Sequence, residues 1–276
     1  MQAELSRIDS RNVLRLRFRE ILPDRSEEDA ARLALRSRGD QPKTVHVPGL
    51  RREGDQIRAD LATIPLPDGT WDVMWVSRDG RSEPVATRDP GFSLAERAAY
   101  LAEPRDRELR VIRGPEGRLR LRSAPARPYA EVEWVDVTDS HVAISGVLAY
   151  VPRTPGRQEA RLVARQRELS GVLTVDAEVA DGAFSVRVPL ADMAAAHESA
   201  RAHNEWDLWL TTPADGRELR LASLADDIVG KKKRISFPST VLAGAAGRVR
   251  IRPYYTVHDH LSLLATEAGA KAGAGR

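Results

Sequence analysis

An internal repeat constrains this 276-residue chain more than any other feature. Ala31-Arg32-Leu33 recurs as Ala160-Arg161-Leu162, 129 residues on. Trp71-Asp72-Val73-Met74-Trp75 recurs as Trp206-Asp207-Leu208-Trp209-Leu210, at an offset of 135. Asp79-Gly80-Arg81 recurs as Asp215-Gly216-Arg217, at 136. Gly117-Arg118-Leu119-Arg120-Leu121-Arg122 recurs as Gly247-Arg248-Val249-Arg250-Ile251-Arg252, at 130. Four landmarks in one order at nearly constant spacing point to two copies of a single unit, because self-similarity at a long period marks a repeated structural module. The openings agree, with Leu14, Leu16 and Phe18 in the first copy and Val142, Ile144 and Leu148 in the second.

Each copy reads as β structure. Residues 12–19, 32–36, 57–61, 71–76 and 117–122 alternate apolar with polar or basic side chains, the period of a half-buried strand. Turn-forming clusters separate them: Glu53-Gly54-Asp55, Pro67-Asp68-Gly69, Asp79-Gly80 and Pro115-Glu116-Gly117, then Asp181-Gly182, Asp215-Gly216 and Ala246-Gly247. Short strands with regularly placed turns predict an all-β protein of two tandem Ig-like β-sandwich modules, with roughly seven strands in each. Trp71 and Trp206 share a strand face with Val73 and Leu208 and are expected in the two cores. Two helical connections are predicted, over 93–101 with Ser93 and Glu96 as a capping box, and over the Ala-rich 190–201. The Pro/Ala-rich stretch 125–128 separates the copies, giving modules at 1–125 and 129–266 and an Ala/Gly-rich flexible tail at 267–276.

Composition narrows the function classes. At 42% apolar residues the chain can bury a core. At 30% charged residues it has many elements with one wet face. A net charge of +3, carried mostly by Arg, does not predict a nucleic-acid partner. The absence of Cys excludes disulfides, thiolate metal sites and cysteine nucleophiles. Residues 1–9 have no signal-peptide pattern, and no stretch approaches the roughly 18 apolar residues of a membrane span, so the expected location is cytoplasmic.

Motifs for chemistry are sparse. No Gly-rich phosphate loop, Gly-x-Gly-x-x-Gly, Gly-x-Ser-x-Gly or Asp-x-Asp occurs. No catalytic residue and no cofactor are assigned. His258 and His260 would face one way on a strand and are weak metal candidates, lacking further ligands nearby. The run Lys231-Lys232-Lys233-Arg234, after Asp226-Asp227, is expected as an exposed loop able to hold an anionic polymer. Tyr254 and Tyr255 are candidate exposed aromatics for a sugar. Glu27-Glu28 shows no special spacing, and Glu131 and Glu133 read as ordinary alternation opposite Val132 and Trp134.

The segment Arg252-Pro253-Tyr254-Tyr255-Thr256 with His258-Asp259-His260-Leu261-Ser262-Leu263, preceded by Gly247-Arg248-Val249-Arg250, carries a resemblance, as does Trp206-Asp207-Leu208-Trp209. These strands resemble the β-sandwich repeats appended to actinobacterial family-2 glycosyltransferases and teichoic-acid-type glycerophosphotransferases. The resemblance implies a module for oligomerisation or polymer binding, whose catalytic domain is separate and not in this sequence.

Three functions compete. The first is a non-catalytic interaction module, accessory to a cell-envelope polymer or glycan transferase that would be its partner. The second is a protein that binds carbohydrate or anionic polymer directly. The third is a transferase-type enzyme or a hydrolase centred on His258 and His260. Exposed edge strands would permit self-association.

Overall fold

The computed structural model describes residues 1–19, 32–53, 55–77, 79–90, 93–212, 216–226, 228 and 230–269. Ala31, Glu27, Glu28, Gly54, Asp215, Asp227 and the tail beyond Gly269 lie outside the described residues. The protein is mainly β, and it divides into two compact units, Met1–Arg127 and Pro128–Arg276.

The first unit contains β1 (Gln2–Ile8), β2 (Val13–Phe18), β3 (Arg32–Ser37), β4 (Thr44–Val47), β5 (Arg51–Glu53), β6 (Gln56–Asp60), β7 (Gly69–Val76), β8 (Ser82–Pro84), β9 (Ala86–Asp89), helix α1 (Leu94–Leu101), β10 (Arg107–Arg113) and β11 (Leu119–Pro125). One sheet runs β5-β6-β2-β1-β9; the other runs β10-β11-β7-β3-β4, with β8 beside β7. Alternate residues such as Leu14, Leu16, Leu33, Leu35, Trp71, Val73, Leu119 and Leu121 form one core. Ser93 caps α1 by accepting from the Glu96 N–H at 3.4 Å. Only this half of the capping box forms, because the Glu96 carboxylate turns to Arg7, 3.5 Å away.

The second unit contains β12 (Tyr129–Val137), β13 (His141–Ala149), β14 (Arg157–Gln166), β15 (Val172–Ala180), β16 (Ala183–Pro189), helix α2 (Ala191–Ala195), β17 (Asn204–Thr211), β18 (Glu218–Ala222), β19 (Thr240–Gly244), β20 (Gly247–Tyr255) and β21 (Leu261–Glu267). Its strands form one sheet, not two. β14-β15-β16-β13-β12-β18-β17 closes on itself through β14–β17 into a seven-strand barrel, and β21, β20 and β19 extend from β17. The helix predicted over 190–201 shortens to α2. Side chains from neighbouring strands take the backbone groups that a longer helix would use. Buried Asn204 accepts from the Glu198 N–H at 2.8 Å and donates to the Glu198 carbonyl at 3.1 Å, and Gln166 donates to the Ala196 carbonyl.

The two units pair their strands alike. Leu33 faces Trp75 and Arg36 faces Asp72 in the first; Leu162 faces Leu210 and Arg165 faces Asp207 in the second. β1 runs parallel to β9 with Gln2 beside Ala86, as β12 runs parallel to β18 with Glu131 beside Ala222. β8 and β9 together occupy the place of β18, since Pro84 faces Met74 as Arg220 faces Trp209. The units differ at the closing seam. Pro42 and Pro48 bracket the four-residue β4 and cannot donate to a ladder, whereas nine-residue β15 has no proline and reaches β16.

One sequence match is corrected. The landmark at Gly117 does not correspond to that at Gly247. β11 lies beside β7 as β21 lies beside β17, whereas β20 lies between β19 and β21. The bridge Ala86–Arg118 has its counterpart in Ala222–His260. Half-buried strands in an Arg-rich chain share a basic-apolar alternation wherever they sit, so this match carried no register.

Candidate functional site

The basic run is not four exposed cations. Lys231–Lys233 forms a single 3-10 turn, and the Lys231 side chain is only 2% exposed. Its ammonium donates to the Ser223 carbonyl at 2.8 Å, to Asp226 Oδ1 at 2.7 Å and to the Ile228 carbonyl at 3.0 Å. All three donors are satisfied, which is how a buried ammonium is tolerated. Lys232, Lys233 and Arg234 remain exposed.

Tyr254 and Tyr255 are buried, contrary to their expected exposure. Tyr255 packs in the core, its ring 5.6 Å from that of Phe237. Tyr254 lies on the other face and donates to Glu205 at 2.7 Å. Burial pushes both phenols up to about 12, reinforced for Tyr254 by the Glu205 carboxylate. Tyr254 borders a closed polar network: Arg167 holds Glu205 and Asp207, and Arg220 holds Asp207 at 2.7 Å and Ser262 at 2.7 Å. Burial works against the Asp207 carboxylate, but the hydrogen bond from Arg167 and the charge of Arg220 keep it below its ordinary range.

His258 and His260 do not stand on a strand. They lie in the turn between β20 and β21, where Asp259 has a left-handed φ of 56°, and their ring centroids are 5.9 Å apart. Burial, then the nearby Arg220 charge, lowers the affinity of His260 for a proton. Among the described residues, no three His, Asp or Glu side chains converge to hold a metal ion.

The concave site of the second unit was hidden in the sequence by a β-bulge. Val132 faces Gly146 but Trp134 faces Ser145, so Glu133 is an extra residue in β12. Before the bulge Ala130 and Val132 point into the core; after it Val135 and Val137 do. Trp134, which strict alternation would place with Val132, is instead turned outward and 67% exposed. The bulge also breaks the expected likeness of Glu131 and Glu133. Glu131 is 3% exposed and accepts from the Leu224 and Ala225 N–H groups at 2.8 and 3.1 Å, while Glu133 is exposed. Burial raises the Glu131 carboxyl above its ordinary value in spite of those bonds.

Trp134 stands at a cleft of about 1380 Å³ on the outer faces of β12 to β17. Strand register arranges its lining in rows. Glu159, Glu178, Ser185, Ser145 and Trp134 follow one another across five strands. In the next row Arg161 faces Asp176, and Arg187 faces Ala143. Arg157 pairs with Glu178. Among the described residues, no hydrogen bond or ion pair engages Glu159, Arg161, Asp176 or Arg187. The small side chains Ala143, Ser145 and Ser185 leave the space between the tryptophan and these charges open.

No protein-family model matches the chain, and no curated protein matches it. Among solved structures, the 217–571 portion of S. aureus TarS is similar, with a TM-score of 0.38, 14% identity, and 63% of this chain and 51% of that one covered. A second crystal structure of S. aureus TarS gives a TM-score of 0.38 and 11% identity over 63% of this chain and 32% of that one. Pullulanase from Anoxybacillus sp. LM18-11 gives a TM-score of 0.20 and 10% identity over 79% of this chain and 24% of that one. This chain therefore spans about half, or less, of the length of these proteins. No helix among the described residues is long and apolar enough to cross a membrane.

Proposed function

We propose that this chain is a non-catalytic binding module that holds a polymer chain, a glycan or a related cell-envelope polymer, in the cleft of its second unit. The observation that carries this reading is Trp134, a large aromatic turned out of the core by a bulge onto the edge of an open, polar cleft. A side chain of this size on the outside of a strand loses its burial free energy, so its place on a concave surface supports a contact with something else. The accessory role beside a transferase rests on the sequence resemblance alone. The shared registers of the two units support their reading as tandem copies of one Ig-like sandwich module, the second closed into a barrel.

A second reading has its own observation: Lys232, Lys233 and Arg234 remain exposed and could attract an anionic polymer. Co-sedimentation with insoluble cell-wall material separates the two. Loss of binding in Trp134→Ala, with retention when Lys232, Lys233 and Arg234 are all changed to Gln, is the expected result. The reverse pattern assigns binding to the basic turn. Turnover of a glycan or activated sugar by the purified chain overturns the non-catalytic reading.

A further inference from the structure

The cleft's charges say which kind of polymer it would take. Its lining carries three guanidinium groups, Arg157, Arg161 and Arg187, and three carboxylates, Glu159, Asp176 and Glu178. A groove for a polyanion is lined by one sign of charge, since binding then gains from counterion release. Here the two signs balance and are intermixed. Arg161 faces Asp176, and Glu159 faces Glu178 with Arg157 paired to the latter.

Resting on the binding reading above, we propose that the cleft recognises an uncharged, hydroxyl-rich sugar chain laid across the strands, one ring stacked on Trp134. Sugar hydroxyls both donate and accept. An unpaired guanidinium offers donors to one hydroxyl while an unpaired carboxylate takes the proton of its neighbour. Among the described residues, Glu159, Arg161, Asp176 and Arg187 are such groups. Like charges directly across a ladder repel, and among the described residues only Glu178 of the Glu159–Glu178 pair has a cation, so a hydroxyl donated to Glu159 relieves that repulsion. The apolar C–H face of a pyranose covers Trp134 and removes aromatic surface from water. The row from Glu159 to Trp134 crosses five strands, roughly 19 Å at about 4.8 Å per strand, room for a few sugar rings. Ser145 and Ser185 in its middle leave that path unobstructed.

The test uses the full chain and isothermal titration with cellotetraose, maltotetraose and chitotetraose, and with polyphosphate as the anionic probe. The expected result is saturable binding of at least one tetraose, unchanged between about 50 and about 200 mM salt. Trp134→Ala is expected to weaken it at least about tenfold, and Glu159→Gln or Arg161→Gln about tenfold each, with unchanged circular dichroism. If polyphosphate binds, the tetraoses do not, and the affinity falls steeply with salt, the uncharged-chain inference is overturned while polymer binding stands. If neither class binds, both readings fall. Tetraose binding that survives Trp134→Ala removes this cleft as the site.

Discussion

Trp206 and Trp134 carry the same side chain to opposite ends. Trp206 is fully enclosed by the second core, its indole N–H without a partner among the described residues, whereas Trp71 in the first core donates to the Pro67 carbonyl at 3.1 Å. Trp206→Ala is expected to cost about 3–5 kcal/mol in urea unfolding, and Trp134→Ala no more than about 0.5 kcal/mol. Equal losses would refute the assignment of Trp134 to the surface. Lys231 separates from its neighbours in the same way. Lys231→Ala leaves Asp226 and two carbonyls without their donor and is expected to cost about 2 kcal/mol, while Lys232→Gln leaves stability unchanged.

Glu131 supplies the pH dependence at this scale. Its folded carboxyl holds its proton more tightly than the ordinary value of 4.5, so the folded state binds more protons than the unfolded one above that pH. Its penalty is absent below the ordinary value and grows as pH rises through the raised folded value. Asp9 and Glu108 in the first unit act oppositely. Burial disfavours their charged forms, but backbone bonds and Arg15 hold Asp9 down, and the charges of Arg110 and Arg97 hold Glu108 down. Their contribution is present above the ordinary carboxyl range and lost as pH falls through their lowered values. Glu131→Gln, which keeps an oxygen for the Leu224 and Ala225 N–H groups, is expected to gain on the parent as pH rises from about 4 to about 7. Parallel pH curves of the two proteins would show that Glu131 does not titrate differently on folding.

Among the elements, strands were readable where alternation ran unbroken. β2, β3, β7 and β17 lie where their period of two places them, because one wet and one dry face leave each register a single solution. The bulge in β12 was not readable. Glu133 differs in no way from any other polar strand residue, and only Gly146, which faces the neighbouring Val132, hints at crowding. A Cβ at Gly146 would stand 1.8 Å from the Glu131 carbonyl oxygen. Gly146→Ala is therefore expected to cost about 3 kcal/mol and, by displacing the bulge, to impair the cleft as well. A stable Gly146→Ala protein with parental ligand binding would argue against the bulge as the device that exposes Trp134. A register shift likewise lies between Ala3 and Leu5 in β1, with Glu4 as the extra residue, and Leu5 there is half-buried. The helix over 190–201 failed as an expectation because Asn204, at the start of the next strand, and Gln166, 30 residues before Ala196, compete for its carbonyls and amides.

At the scale of the whole molecule, the two cores are separate. One draws on residues from Ala3 to Leu121, the other on residues from Ala130 to Ala265. Every cleft residue belongs to the second unit. A fragment spanning 128–269 is expected to unfold cooperatively and to bind the same ligand as the full chain, measured by circular dichroism melting and titration. Failure to fold alone would show that this core depends on the first unit.

The sequence by itself determined the mainly β character, since alternation and turn chemistry are local and repeat along the chain. It also determined that Trp71 and Trp206 lie inside, because each shares a strand face with aliphatic neighbours. Tertiary structure alone decided the rest. Closure of the second unit into a barrel depends on a β15 long enough to meet β16, and the register that unites β11 with β21 depends on neighbours, not on resemblance. Burial of Lys231, Tyr254 and Tyr255 depends on the carbonyls, carboxylates and rings that the fold brings around them. The outward turn of Trp134 depends on one residue of slack in a hydrogen-bonded ladder, which exists only once both strands are paired.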